Sequence, residues 1–165
     1  MKYTEDYIFN HDIDWFCIVN GDYIHVASAG GYIPDFINDK ETLRDIQYQV
    51  EMLPFIYRED EIVYNEQVLS NVINSNENEA RNHYIESFTI MARKGFVSYD
   101  KTNINSLSDS SYHLVCKPLS NGRKLNLKKI QSVKTSIPTE EWIQQEVKRV
   151  ASSFENSAGI DEHIQ

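Results

Sequence analysis

The sequence predicts a single α+β domain, with a mostly antiparallel sheet that includes an N-terminal β-hairpin and three to four helices packed on it. An Asn-Gly pair between two β-type runs predicts the hairpin. Apolar residues recur at helical spacing in later segments, and short strand-like runs lie between those segments. We place the domain at residues 1–154 and expect residues 155–165 to be a flexible polar C-terminal tail.

The hairpin is predicted from two β-type runs, residues 14–19 and 22–26, which flank Asn20 and Gly21. Both turn residues tolerate the positive φ of a tight two-residue turn, so Val19 should lie opposite Asp22. A hairpin that is apolar on both faces is expected either between two layers or with one face open to a partner chain. One face should carry Phe16, Ile18, Tyr23 and His25, and the other Trp15, Cys17, Val19, Ile24 and Val26.

The small residues 27–31 (Ala-Ser-Ala-Gly-Gly) should form a loop after the hairpin. Its backbone N–H groups and Ser28 could bind an anion, but a flexible exit from the hairpin is the favoured interpretation. A helix should then begin near Asn38 or Asp39 and end at Pro54, with Asn38 and Glu41 as a capping box. Its apolar stripe consists of Leu43, Ile46, Val50 and Leu53.

Two more helices are predicted before residue 95. Residues 65–73 have a helical pattern, although the preceding residues 62–64 could equally form a strand. Residues 79–94 form a stronger pattern, which ends with Gly95 where a left-handed cap is needed. Its apolar side carries Ala80, Tyr84, Phe88 and Met91.

Three strands and one helix are predicted in the rest of the chain. The strands cover residues 96–99, 112–117 and 125–133. The last helix begins after Thr139 and continues to Phe154, with acidic residues first and basic residues last, as the helix dipole favours. Its apolar stripe consists of Ile143, Val147, Val150 and Phe154.

The composition indicates a cytoplasmic protein. The chain carries only two cysteines, and its start has neither a basic segment nor an apolar run of the kind that directs export. No run is long enough to span a membrane. Asn, Ile, Lys and Tyr are frequent, which is typical of AT-rich genomes, so we expect a bacterial cell, a phage-infected cell or a virion.

The net charge of −9 is unevenly distributed. Residues 1–100 hold 18 acids and 7 bases, whereas residues 110–139 hold no acid. The overall negative charge and the lack of aromatic residues around the cations argue against nucleic acid as the partner. Pairing with the acidic part of a neighbouring copy fits better and would give head-to-tail association, although a mixed solvated surface is the simpler alternative. The tentative interaction residues are Lys117, Arg123, Lys124, Lys128, Lys129 and Lys134.

No pattern in the sequence predicts a catalytic, cofactor-binding or metal-binding residue. The phosphate-binding glycine motifs and the G-x-S-x-G elbow are missing. The side chains of Cys17 and His25 should lie on opposite faces of the hairpin. Cys116 and His113 are three residues apart on one strand, so their side chains should also lie on opposite faces. Neither pair should therefore form a cysteine nucleophile with a histidine base. Metal binding is disfavoured for two groups that contain ligand-type residues: Glu79 with His83 and Glu86, and His11 with Asp12 and Asp14.

We therefore expect a non-catalytic structural or interaction subunit of a larger assembly, such as a phage virion component, in contact with copies of itself or with other subunits. One alternative is a small acidic inhibitor or immunity-type protein that binds a basic partner. Another is a small enzyme that uses Asp12, Asp14 and His25. The acids of the proposed inhibitor surface are Glu59, Asp60, Glu61 and Glu66.

Overall fold

The computed structural model describes residues 1–19, 22–35, 37–72, 78–102 and 112–119. The strand predicted at 125–133, the helix predicted at 139–154 and the tail at 155–165 lie outside the described residues. Within the described ranges, no helix is both long and apolar enough to cross a membrane. The elements are α1 (Glu5–Asn10), β1 (Asp14–Val19), β2 (Asp22–Ala27), α2 (Lys40–Glu51), a 3-10 turn (Glu59–Glu61), β3 (Ile62–Tyr64), α3 (Glu66–Val72), α4 (Asn78–Arg93), β4 (Val97–Lys101) and β5 (Tyr112–Pro118).

The five strands form one mixed sheet in the order β1-β2-β4-β5-β3. Three of its neighbouring pairs are antiparallel, and β2 and β4 are parallel. Together with the four α-helices of the described residues, this sheet confirms the predicted α+β class. The sheet is mixed because β2 and β4 are parallel. Parallel strands need a long connection, and here three helices and β3 lie between β2 and β4 in the sequence.

The hairpin has the predicted register, with Val19 opposite Asp22 and Phe16 opposite His25. Trp15 and Cys17 pack on one side of the sheet with residues of α1 and of the segment after β2. Phe16 packs on the other side with α2 residues. Both faces of the hairpin are thus covered within the chain, and the alternative of a face left open to a partner is wrong.

The helix α2 is shorter than predicted and has a different cap. The carboxylate of Asp39 accepts hydrogen bonds from the backbone N–H groups of Glu41 and Thr42. Asn38, the predicted cap, is instead buried and accepts a hydrogen bond from the backbone N–H of Tyr3 at 2.7 Å. The predicted capping box is therefore wrong, because the side chain of Asn38 is used to anchor the N-terminal segment. The predicted stripe is buried at Leu43, Ile46, Val50 and Leu53.

The helix α4 and its end agree with the prediction. Gly95 has a φ of 104°, the left-handed conformation that favours glycine. The N–H of Gly95 bonds the carbonyl of Ala92, and the N–H of Phe96 bonds that of Met91. These two bonds form a Schellman cap, which turns the chain directly into β4. In the middle of the chain, residues 62–64 form a strand and residues 66–72 a helix, so both interpretations of this stretch were partly right.

A β-bulge between β4 and β5 changes which side chains share a face. His113 lies opposite Asp100, and Cys116 lies opposite Ser98, with a register shift between these pairs. Ser98 and Asp100 are two residues apart and share a face, so His113 and Cys116 share that face too. The prediction that His113 and Cys116 lie on opposite sides is therefore wrong, because the bulge adds one residue to the usual alternation.

Candidate functional site

Polar and ionisable side chains from several elements meet on the face of the sheet that α4 covers. We call this set the polar layer. It is unusual because this face is otherwise packed with apolar side chains such as Phe88, Ala92 and Val115. Buried polar groups of this kind are expected to be hydrogen-bonded to one another. The polar layer consists of Asp14, His25, Tyr84, Ser98, Asp100 and His113.

The first part of the polar layer is a line of hydrogen bonds across three strands. The Nε2 of His25 lies 2.8 Å from Oδ1 of Asp14, and its Nδ1 lies 2.6 Å from Oγ of Ser98. Because a carboxylate accepts, Nε2–H of His25 donates to Asp14, and in the tautomer with its single proton on Nε2, Nδ1 accepts from the Ser98 hydroxyl. Asp14 is 47% exposed at its side chain, whereas His25 and Ser98 are buried at 1% and 0%.

The second part of the polar layer joins α4 to β4 and β5. The hydroxyl of Tyr84 donates to Oδ2 of Asp100 at 2.5 Å and lies 3.4 Å from Nε2 of His113. The other oxygen of Asp100 accepts the backbone N–H of Lys101 at 2.8 Å. The Nδ1 of His113 lies 3.2 Å from the Thr102 hydroxyl. Tyr84 is thus the side chain of α4 that contacts both Asp100 on β4 and His113 on β5.

Burial shifts the pKa values of Tyr84, Asp100 and His113. It raises the pKa of Asp100 to about 6, although the hydrogen bonds from Tyr84 and Lys101 oppose the shift. It lowers the pKa of His113 to about 4. It also raises the pKa of the Tyr84 hydroxyl, and the negative charge of Asp100 adds to that effect. At neutral pH the Asp100 carboxyl is ionised, while the His113 ring and the Tyr84 hydroxyl are neutral.

Asp12 and the loop after β2 lie beside the polar layer. A carboxylate oxygen of Asp12 accepts the N–H of Ala29 at 2.8 Å, and Gly31 N–H bonds the carbonyl of Ser28. The hydroxyl of Ser28 accepts the N–H of Ile13. Ala29 and Gly30 both have positive φ, so this segment forms a turn. The alternative of an anion site gains no support, because the N–H groups of Ala29 and Gly31 already bond the chain.

The two cysteines are buried and free of disulfides. Cys17 and His25 leave opposite faces of the hairpin, as predicted. Burial raises the pKa of Cys17 to about 12 and also raises that of Cys116. A thiol with a raised pKa is a poor nucleophile at neutral pH, so the structure gives neither cysteine a chemical role.

The two groups for which the sequence disfavours metal binding have other surroundings in the structure. Across the described stretches of the chain, no three His, Cys, Asp or Glu side chains are placed to hold a metal ion. Glu79, His83 and Glu86 are exposed along one flank of α4. His11 stacks its ring on Tyr7 at 3.8 Å and bonds the backbone carbonyl of that residue.

A groove of about 860 Å³ runs along the outer side of α4. Two exposed apolar side chains lie at this surface. Ile90, 37% exposed, lines the groove, and Phe55, 50% exposed, is outside the lining but packs against Arg93, which is part of it. The guanidinium carbon of Arg93 lies 4.0 Å from the centre of the Phe55 ring, a cation–π contact. We call this surface the α4 groove. Its lining consists of Glu59, Tyr64, Glu79, Asn82, His83, Ile85, Glu86, Thr89, Ile90 and Arg93.

The four acids of the predicted inhibitor surface all have basic neighbours in the chain. Asp60 and Glu61 pair with Arg58, at 3.0 and 3.3 Å. The carboxylate of Glu66 accepts two hydrogen bonds from Arg81, at 2.7 and 2.8 Å, and Glu59 lies 3.8 Å from Arg93. Intramolecular pairs reduce the field that these acids could offer to a basic partner.

Of the six tentative interaction residues, only Lys117 lies within the described residues. It is half-buried at the end of β5, close enough to Asp22 to oppose the rise that burial causes in the pKa of that carboxyl. The other five cations, at positions 123, 124, 128, 129 and 134, lie outside the described residues.

The fold and the site define a class only in structural terms: an α+β protein with a buried polar layer beneath one helix and an exposed groove along it. No protein-family model, curated protein sequence or solved structure matches the chain.

The sequence indicates Asp14 and His25 as a candidate acid and base, but it does not indicate Tyr84, Ser98, Asp100 or His113 as members of the site. Tyr84 was assigned to an apolar stripe, because helical spacing does not reveal which polar atom a ring meets. Ser98 and Asp100 alternate with larger side chains in β4, and this alternation was the only local signal. Their hydrogen-bond partners, His25 on β2 and Tyr84 on α4, lie at positions that no local pattern connects to them.

Proposed function

We propose that the protein is a non-catalytic interaction subunit that binds another protein through the α4 groove. The observation that carries the proposal is a groove large enough to take side chains of a partner, with the exposed Ile90 in its lining and the exposed Phe55 packed against Arg93 of that lining. Aromatic and large apolar residues are enriched at the centres of protein interfaces. The cation–π contact with Arg93 holds the Phe55 ring in place before binding.

The charges of the groove define the chemistry of the partner. Glu59, Glu79 and Glu86 line it together with one arginine, Arg93, so an apolar segment flanked by basic side chains is the best complement. The chain itself carries such a basic segment at residues 117–134. A second copy is therefore the first partner to test. Self-association of this kind would suit a component of a virion or of a bacterial assembly.

The test is the molar mass of the purified protein by light scattering, over a concentration series at low and high salt. We expect an oligomer that dissociates as salt increases. Phe55→Glu should abolish it, whereas the matched control Phe9→Glu, at a side chain that is 44% exposed on α1, should leave it unchanged. If the wild-type protein is monomeric, the same three proteins are used as bait in cell extract. Either of two outcomes overturns the proposal. In one, Phe55→Glu and Phe9→Glu both retain the partner. In the other, neither the wild type nor Phe9→Glu retains a partner.

A second candidate function is favoured by one observation, the hydrogen-bonded order Asp14, His25 and Ser98. Acid, histidine and serine in this order serve nucleophilic catalysis in hydrolases. Here Ser98 is fully buried. The catalytic groups of this second candidate are therefore the half-exposed Asp14 and the His25 ring that is hydrogen-bonded to it. A substrate screen followed by Asp14→Asn and His25→Ala tests this function. Activity that both variants retain, with folding verified by circular dichroism, excludes these residues.

A further inference from the structure

The end of α2 carries three exposed apolar side chains. Tyr48 lies in the last turn of α2, and Met52, the residue after the helix, bonds its N–H to the carbonyl of Tyr48. The two side chains are therefore one turn apart on the same face, and they are 65% and 63% exposed. Phe55, three residues further along the chain, is 50% exposed. After Met1, these are the three most exposed large apolar side chains of the described residues. We call them the α2-end patch.

Phe55 connects the α2-end patch to the α4 groove. Its ring contacts Arg93, which lines the groove. Its ring centre also lies 6.0 Å from Nζ of Lys94, which donates to the carbonyl of Glu51 at the end of α2. Tyr, Phe and Met are enriched at the centres of protein interfaces. An exposed surface of these residue types beside an open groove is therefore suited to bind a partner.

The exposed charges of α2 are mostly acidic. Its exposed residues include three acids, Glu41, Asp45 and Glu51, and one base, Arg44. Asp45 and Glu51 are three residues before and three residues after Tyr48, so both lie beside its side chain on the helix surface. Within the described part of the chain, neither of these two acids forms a salt bridge. Their charge is therefore available to a basic partner, in contrast to the paired acids of the predicted inhibitor surface.

The two cations beside Phe55 already bond acceptors of the chain. The Nε of Arg93 donates to the carbonyl of Tyr57 at 3.1 Å, and its guanidinium lies 3.8 Å from the carboxylate of Glu59. Lys94 is buried, and its Nζ donates at 3.0 Å to the last two carbonyls of α2. Because internal acceptors hold both cations, they fix the position of Phe55 and present little charge to a partner.

The chain itself contains a segment of the complementary chemistry at residues 123–134. This segment has five cations, no acid and four large apolar residues, Leu125, Leu127, Ile130 and Val133. We propose that the α2-end patch of one copy binds residues 123–134 of a second copy, so that the interface extends from the α4 groove over the end of α2. This inference rests on the proposed function, because it names the partner segment and adds Tyr48 and Met52 to the same surface.

The contact is heterologous, because the patch and the segment are different parts of the chain. A variant with a defective patch still has an intact segment, and a variant with a defective segment still has an intact patch. Neither variant can associate with itself, but one copy of each can form a single intact contact. Mixing the two variants therefore distinguishes this arrangement from contacts between identical surfaces and from contacts within one chain.

The test uses light scattering on two variants of the full chain at low salt. Met52→Glu alters the patch, and Lys124→Glu combined with Lys128→Glu alters the segment. We expect the dissociation constant for self-association of each variant to be at least about tenfold higher than that of the wild type. An equimolar mixture of the two should form a 1:1 complex. Met52→Leu, which keeps an apolar side chain, and Phe9→Glu should associate like the wild type, and circular dichroism verifies folding.

Three results would overturn the inference. A mixture that stays monomeric would show that the patch and the segment do not meet between copies. Wild-type association of the segment variant alone would show that the patch binds another surface. If Met52→Glu associates like the wild type while Phe55→Glu does not, the end of α2 is outside the interface and the proposed function still holds. A wild-type protein that is monomeric at every concentration also overturns the binding of a second copy, whereas the proposed function then depends on the partner found in cell extract.

Discussion

At the scale of single residues, the polar layer shows how a buried serine can be structural. Ser98 resembles a nucleophile in its hydrogen bonding to His25, but it is fully covered by the packed layers on the two sides of the sheet. Its hydroxyl satisfies a ring nitrogen that would otherwise be buried without a partner. Such a hydrogen bond adds little to the free energy of unfolding. Its loss lowers that free energy by more, because the remaining polar group stays buried without a partner.

Removal of the Ser98 hydroxyl should therefore destabilise the fold. We expect Ser98→Ala to lower the unfolding free energy by about 1–3 kcal/mol, since Nδ1 of His25 loses its donor in a dry site. In the background of His25→Phe the same change should cost less, because the unsatisfied nitrogen is gone. Urea unfolding of the two single variants and the double variant measures the difference. Additive effects would show that the two side chains do not interact.

At the scale of elements, the Schellman cap of α4 positions the polar layer, because it turns the chain into β4 within three residues. Gly95 is the one residue of this cap with a left-handed backbone. A Cβ there would cost about 1–2 kcal/mol, and asparagine tolerates the conformation better than alanine does.

A graded series at position 95 tests the cap. We expect the melting temperature to decrease in the order wild type, Gly95→Asn, Gly95→Ala, with a loss of about 1–2 kcal/mol for alanine. The control is Ser87→Ala, at an exposed position of α4 that is not part of the cap. Equal stability of the alanine and asparagine variants would show that backbone conformation is not the cause.

The elements also show what the sequence could and could not predict. The hairpin and its register followed from Asn20-Gly21, and the stripe of α2 followed from helical spacing, because both signals are local. The helix α1 was missed, since it has only six residues and buries only Ile8. The bulge that places His113 and Cys116 on one face depends on the pairing of strands distant in sequence, and so does the polar layer.

At the scale of the whole molecule, the sheet divides two apolar layers. Cys17 belongs to the layer that includes α1, and Cys116 belongs to the layer beneath α4. The two thiols are therefore natural reporters for the two sides of the sheet. Burial and raised pKa values protect both of them in the folded state.

Thiol labelling should reveal whether the two layers unfold together. At pH 8 in the absence of denaturant, we expect Cys17 and Cys116 to react with a maleimide at the same slow rate, because both require the same cooperative opening. Peptide mass spectrometry after timed quenching separates the two sites. Faster labelling of Cys116 alone would show that α4 opens independently of the rest of the sheet.

The position of β3 at the edge of the sheet also bears on how the chain is made. Among the strands that the structure describes, β3 pairs only with β5, which follows it by roughly fifty residues. At typical rates of about 5–20 residues per second, β3 therefore waits for seconds before this partner is synthesised. During that time Ile62, Val63 and Tyr64 have no strand to pair with. A nascent chain that stalls before β5 is thus the form of this protein for which a chaperone would matter most.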